Sequence, residues 1–320
     1  MPKVSIIVPV HNTSQFLEDC VGSIVRQTLR DIEIILVENA STDNSLEVCQ
    51  FLAKDDARVR VLHSDIGDPS LARNIGIEAS TAEYLGFIDS DDTIAPEMYE
   101  ELLELIEQES LDIVFCDFMK KYDYRSDRYV FENTGKITLT SPSELLKLNF
   151  KDKIPQSICT MLCRKSVFDN IRFPVGRFYE DTATTWKLIL AADKVGHIAR
   201  PYYHYYRHSG SIVHTASFKI HYGHVLADME RIDYINASKE YSSQERLELG
   251  IKPLEGFFRH FRRMVSLAKS QEEKDICLKC REWLVNLSGE YKFRRKFSRV
   301  RNLVTNHWGM FCILSRLKMI

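Results

Sequence analysis

The chain has 320 residues, a formal net charge of -2 and 44% hydrophobic residues. That apolar content supports a full core in one large domain or two smaller ones, and it excludes an intrinsically disordered chain. The longest apolar run, "WGMFCIL" at 308–314, falls well short of the roughly 18 residues needed to cross a bilayer.

The opening "MPKVSIIVPV" enters a strand-like run directly, without a basic region, a long apolar segment or a small-residue cleavage site. It reads as a cytoplasmic chain under reducing conditions. Cys20, Cys49 and Cys116 fit that reading, because each takes an apolar position where cysteine serves as a small hydrophobe. Over the first 120 residues, β-rich runs at 4–10, 32–37, 59–62, 84–88 and 113–118 alternate with segments of helical spacing. In "TSQFLEDCVGSIVRQ" the residues Phe16, Leu17, Cys20, Val21 and Ile24 share one helical face. In "APEMYEELLELIEQ" the face is Met98, Leu102, Leu105 and Ile106, with Pro96 suited to the first turn. Strand and helix in alternation predict a Rossmann-like, mostly parallel sheet flanked by helices, with its ligand beyond the carboxyl ends of the strands.

Those ends carry the polar residues. The first strand leads to Pro9, His11 and Asn12; the second to "ENASTDNS", with Glu38, Asn39 and Asp43; the third to a loop before Arg73 and Asn74; the fourth to "DSDD" at 89–92. Asp91 and Asp92 are hard oxygen ligands of the kind that hold Mg2+ or Mn2+ together with substrate phosphates. Capping of the next helix is the alternative, and it accounts for one aspartate more readily than for three within four residues. No G-x-G-x-x-G follows the first strand and no P-loop is present, which argues against a dinucleotide dehydrogenase and leaves phosphate to metal and Arg.

Past residue 120 the alternation stops. "YDYRSDRYVFENTGKITLT" reads as an irregular or hairpin insertion turning at 133–135. A short strand is expected at 157–163, a helix at 179–192 and paired aromatic-rich strands around "VGHIARPYYHYYR". From 217 the pattern is helical throughout. Cys277 and Cys280 form a lone C-x-x-C in a charged helical pattern, with no second ligand pair to make a zinc site. After Glu290 no acid remains and the bases sum to +8, so the tail 291–320 is either an amphipathic helix for an anionic membrane surface or a basic helix packed on the acidic body. No recognition pattern for nucleic acid accompanies this charge.

"VSIIVPVHN", "ILVENASTDNS", "LARNIGIEAS", "EYLGFIDSDD" and "FYEDTATTWKL" resemble, in order and spacing over about residues 3–215, the family 2 glycosyltransferases. That resemblance implies a GT-A fold, inverting transfer from a nucleotide sugar and a divalent cation, Mn2+ or Mg2+. It implies a transferase domain at 1–215, with a nucleotide half at 1–120 and an acceptor half at 121–215, before a helical region at 216–320. By the same comparison Asp89, Asp91 and Asp92 resemble the D-x-D motif, with Asp91 near ribose and metal and Asp92 on the metal. Pro9, His11, Asn12, Glu38, Asn39 and Arg73 fall where the family holds the nucleotide. Asp181, beside Glu180, matches the general base, although helix capping would also suit it. Arg207 and His208 in "YYHYYRHSGSI" match a segment that closes over diphosphate or metal, with a lid at Gly210, although the tyrosines there also suit packing. Two departures stand out: His11 replaces the usual Tyr, and "ENAS" replaces "DDGS", so that Glu38 supplies the uracil acceptor on a longer arm. The reading is a UDP-sugar-dependent enzyme transferring a hexose or N-acetylhexosamine to a saccharide or lipid-linked acceptor. A non-catalytic sugar-nucleotide module and a nucleotidyltransferase are the alternatives, the latter disfavoured by the missing glycine- and lysine-rich loop.

Overall fold

The structure, a computed structural model, describes residues 1–122, 125–131, 133–208, 217–287 and 295–316, with backbone alone at 295–300. It divides into two compact units. One comprises Met1–Asn149, Lys153–Gly176 and the run from Thr184 through His208; the other comprises Phe150–Asp152, Arg177–Ala183 and the C-terminal helices. The helical unit thus includes two short segments that precede the expected boundary at 215.

The first unit is built on a mixed sheet of strands β1 (Val4–Val10), β2 (Ile32–Asn39), β3 (Val59–Ser64), β4 (Tyr84–Phe87), β5 (Thr93–Ile94), β6 (Ile113–Lys121), β7 (Arg128–Tyr129), β8 (Ile137–Thr140), β9 (Met161–Arg164) and β10 (Val195–Tyr206). The main order is β3-β2-β1-β4-β9-β6-β10-β5, with β7 on β6 and β8 on β10. Strands β3, β2, β1 and β4 are parallel, and β9 runs antiparallel between β4 and β6. β1 and β2 are almost wholly buried, as continuous apolar runs in the middle of a covered parallel sheet must be.

Helices α1 (Ser14–Val25), α2 (Ser45–Asp55), α3 (Pro69–Ala79), α4 (Met98–Glu109), α5 (Pro142–Phe150) and α6 (Glu180–Ala191) follow in chain order. α3 and α4 lie on opposite faces of the sheet. A Cβ on Gly76 of α3 would stand 2.3 Å from Ile7, and one on Gly86 of β4 would stand 2.3 Å from the Tyr99 hydroxyl of α4. Gly86 pairs with Ile6, the neighbour of Ile7, and side chains alternate across a strand. α4 starts at Met98, so Pro96 precedes its first turn rather than sitting in it. On α1, Leu17, Cys20, Val21 and Ile24 are buried as the spacing predicts, whereas Phe16 is only half-buried and turns elsewhere.

A further expectation is corrected. The aromatic-rich segment forms a single strand, β10, not a pair. It runs parallel to β6 along both halves with a register shift between Ile198 and Tyr203, where Pro201 has no N–H to give the ladder. Its near half also pairs with β8 and its far half with β5. The insertion after residue 121 supplies strands β7 and β8, and Gly135, at φ 67, donates through its N to the Ala199 carbonyl at 2.9 Å.

The helical unit contains α7 (Phe218–Ala237), α8 (Ser243–Leu249), α9 (Ile251–Leu267), α10 (Gln271–Asn286), α11 (Arg295–Asn306) and α12 (Trp308–Arg316). Capping boxes start α8 (Ser242 with Glu245) and α10 (Ser270 with Glu273), which satisfies N–H groups a free helix end would leave bare. Phe257, Phe261, Leu284, Val304 and Phe311 are fully buried in one core. Cys277 and Cys280 belong to that core, and burial pushes both thiols up to about 12. Among the described residues no helix is long and apolar enough to cross a membrane.

Candidate active site

The polar ends of β1, β2 and β4 are tied to one another by side chains within the first unit. Asn12 and Ala40 adopt left-handed backbones, each at φ 53, directly after β1 and β2. Asn12 Oδ1 accepts from Thr42 N at 2.7 Å, and Thr13 N donates to Ser45 Oγ at 3.0 Å. His11 Nδ1 lies 2.6 Å from the Asn39 carbonyl. A carbonyl only accepts, so Nδ1 carries the proton, and Nε2 is left to accept from Asn12 Nδ2 at 3.2 Å. Asp43 accepts from Ser14 N and from Ser45 N and Oγ. Burial raises its carboxyl, but these bonds outweigh burial and hold it at about 2.

Glu38 is 1% exposed and both its oxygens have protein donors, Ser41 N at 2.6 Å and His63 Nδ1. Burial raises its carboxyl, but the bonds from Ser41 and His63 lower it below the ordinary value. Glu38, expected as an acceptor for uracil, thus has donors from the protein on both oxygens, and His63 carries no cue in the sequence beyond its place at the end of β3 opposite Glu38.

Arg73 enters from α3. Asp68 caps that helix by accepting from Leu71 N, and Pro69 opens it, which fixes the helix entry. Arg73 is 3% exposed, places its guanidinium 5.5 Å from the Phe173 ring centre, and donates through Nη2 to Asp89 Oδ1 at 2.7 Å. Asn74 binds the backbone of Phe173 with both ends of its amide, each at 2.9 Å.

The "DSDD" turn separates its carboxylates by partner. Asp89 faces Arg73. Asp91 Oδ2 lies 2.9 Å from His208 Nε2. Asp92 is 1% exposed and accepts from the Tyr203 hydroxyl and, at 2.7 Å, from Tyr206 N. Burial and the charge of Asp89 raise the Asp91 carboxyl, partly offset by His208. Burial, Asp91 and Asp89 together raise Asp92 well above its ordinary value, and the Tyr203 and Tyr206 bonds offset that only in part. β10 therefore delivers Tyr203, Tyr206 and His208 to this turn. Phe16 closes over them, its ring 4.5 Å from His208 and 5.7 Å from Tyr206.

Asp91 and His208 come together, while Asp92 turns its carboxylate to β10. Among the described residues no three His, Cys, Asp or Glu side chains gather at metal-binding spacing. The donor set nevertheless suits a divalent cation, because adjacent carboxylates that disfavour one another's charge gain most from one. The Arg207 guanidinium carbon lies 5.9 Å from the Tyr205 ring centre. Glu180 and Asp181 occupy the first turn of α6 and belong to the helical unit. The loop at Gly210 lies outside the described residues, as do Lys292, Arg294 and Lys318 of the basic tail.

The family model for glycosyl transferase family 2 matches residues 5–172. The chain belongs to that family. This family 2 glycosyltransferase is 31% identical over 302 residues to glycosyltransferase GlyG of Streptococcus pneumoniae serotype 4, covering 86% of this chain and 94% of that protein. It is 37% identical over 217 residues to the uncharacterized glycosyltransferase EpsJ of Bacillus subtilis, covering 66% of this chain and 63% of the other. A crystal structure of S. aureus TarS residues 1–349 in complex with UDP-GlcNAc matches its fold with TM-score 0.72 at 18% identity, over 99% of this chain and 90% of that one. The GT-A-like fold and the glycosyltransferase class follow.

Proposed function

We propose that this glycosyltransferase moves a hexose or N-acetylhexosamine from a UDP-sugar to a saccharide or lipid-linked saccharide hydroxyl by a single inverting displacement, in surface polysaccharide assembly. One observation carries the donor reading: the His11 imidazole after β1, the buried Arg73 guanidinium of α3 and the acidic turn 89–92 after β4 are brought together within one unit. The UDP-GlcNAc bound by TarS supports the choice of donor class. Pro9, His11, Asn12, Glu38 and Asn39 are assigned to the nucleoside, and Arg73, Asp89, Asp91 and Arg207 to ribose and diphosphate.

Asp91 and His208 would hold Mn2+ or Mg2+, with Asp92 fixing the turn from its site between Tyr203 and Tyr206. Such a cation, when bound, supplies Lewis-acid stabilisation of the departing diphosphate. Asp181 takes the proton of the acceptor hydroxyl as its oxygen bonds to the anomeric carbon, and the bond from that carbon to the diphosphate oxygen breaks. Glu180 assists beside it. Residues 1–120 are assigned to the nucleotide and 121–215 to the acceptor. The basic tail is assigned to an anionic membrane surface on the cytoplasmic side.

The test is UDP release from a panel of UDP-sugars, with Mn2+ and with a chelator. Asp181→Asn is expected to lower kcat by about 10²–10⁴-fold while the donor KM changes little. Unchanged turnover in that variant would remove the base assignment, and turnover indifferent to chelator would remove the cation. A chain that binds UDP-sugars but turns over none would fit a non-catalytic module instead.

A further inference from the structure

Three histidines of the helical unit meet where α7 and α9 cross. His221 and His260 are each 6% exposed, and their Nδ1 atoms stand 3.1 Å apart. One nitrogen must donate and the other accept, so the pair takes opposite tautomers. His224 stacks flat on His260, with ring centres 3.8 Å apart and planes at 10°. Its Nδ1 lies 2.9 Å from Asp228 Oδ2, and Arg231 Nη1 lies 3.2 Å from Asp228 Oδ1. The helices approach so closely that a Cβ on Gly256 would stand 2.3 Å from Asp228 Oδ2 and 2.9 Å from His224. Burial, then the neighbouring histidines and arginines, push His260 down to about 2, which keeps the His260 ring neutral.

Tyr179 rests on that platform. Its ring stands edge-on to His224 at 4.5 Å and to His260 at 5.4 Å. Its backbone is left-handed at φ 59, a conformation that disfavours any side chain with a Cβ and an aromatic one especially. Just before it, Phe178 presses so closely on α7 that a Cβ on Gly223 would stand 2.3 Å from the Phe178 carbonyl oxygen. Just after it, the Tyr179 carbonyl accepts from Ala183 N at 3.1 Å and so starts α6, whose first two residues are Glu180 and Asp181.

We propose that the imidazole platform of α7 and α9 is a clamp that holds Tyr179 left-handed and thereby sets the direction in which Glu180 and Asp181 leave the backbone. Tyr179, His224 and His260 are positioning residues for the acidic pair. The inference rests on the reading of Asp181 as the base. A bulky residue kept in a glycine conformation needs surroundings that over-determine it, and here they are two packed rings on one side and a glycine-tight backbone contact on the other.

The experiment compares full-length Tyr179→Phe, Tyr179→Gly, His260→Leu and Asp181→Asn, reading UDP release from the UDP-sugar that the donor panel selects, together with the Kd for UDP. Glycine can adopt φ 59 but has no ring for the platform to hold and is equally free to leave it, so Tyr179→Gly can fold while the clamp is released. The clamp predicts that Tyr179→Gly and His260→Leu lower kcat at least tenfold with the UDP Kd within twofold, while Tyr179→Phe stays within threefold of the parent. Parent-like kcat in Tyr179→Gly, with Asp181→Asn inactive, overturns the clamp alone. A UDP Kd that weakens in step with kcat also overturns it, because the damage is then general. Turnover retained in Asp181→Asn overturns the base assignment and, with it, the purpose of the clamp.

Discussion

Asp91 and Asp92 are neighbours in the chain but face different partners, and the difference decides how the turn responds to pH. Both carboxyls are raised, first by burial, and then Asp91 by the charge of Asp89 and Asp92 by those of Asp91 and Asp89. A carboxyl with a higher value in the folded chain holds its proton more tightly there. Stability is therefore fully present below the ordinary Asp value of about 3.9 and is lost as the pH rises through the raised folded values. A divalent cation binds only the carboxylate, so it favours the state that high pH creates and that the bare fold disfavours. Measured in chelator from acid to neutral pH, the thermal midpoint of the parent should fall relative to that of Asp92→Asn as the pH rises, because the lowered carboxyls of Glu38 and Asp43 act alike in both. Added Mn2+ with UDP should restore more of the loss at the higher pH. A cation effect that is equal at every pH would show that these carboxyls are not the ones bound.

β4 reaches that turn through a contact few side chains permit. Gly86 lies under the Tyr99 ring of α4, and a Cβ there would stand 2.3 to 2.6 Å from three atoms of the phenol. Tyr99 is fully buried and has no room to retreat. Gly86→Ala is expected to cost about 1–3 kcal/mol in urea unfolding through overpacking. Tyr99→Leu, which shortens the opposing side chain, should return part of that loss, and a double variant no better than the sum of the singles would place the strain elsewhere. The same strands show why part of the fold was legible in the sequence. β1, β2 and β4 are buried on both faces, so their apolar runs name them, and the polar residues after them are the candidates for the site. β9 and the bent β10 are specified by pairing across long stretches of chain, which leaves little local trace. His63 and Tyr203 hold Glu38 and Asp92 from strands 25 and 111 residues away, a distance at which spacing is silent.

The chain end reads as a basic tail, yet it is part of a core. Val304 of α11 and Phe311 of α12 are fully buried with Phe257 and Phe261 of α9. Arg281 of α10 donates to the Val304 and Thr305 carbonyls at 2.9 and 2.7 Å, which places a cation at the negative end of α11. The inward apolar face is thus used in packing, while Met310 and Ile313 remain more than half exposed on the other side. An attachment to anionic vesicles would then depend on charge more than on insertion, and it should disappear at high salt. A variant ending at Glu290 tests the packing and the proposed membrane attachment together. It should no longer bind such vesicles, and it should unfold at lower temperature with greater binding of an apolar dye, because the partners of Val304 and Phe311 are uncovered. The residues assigned to the donor all lie in the other unit, so on that assignment UDP with Mn2+ at 100 times Kd should still stabilise the shortened chain by about 2.7 kcal/mol. If the shortened chain is as stable as the full one, the tail is not part of that core; if its UDP stabilisation vanishes, donor binding is not confined to the sheet unit.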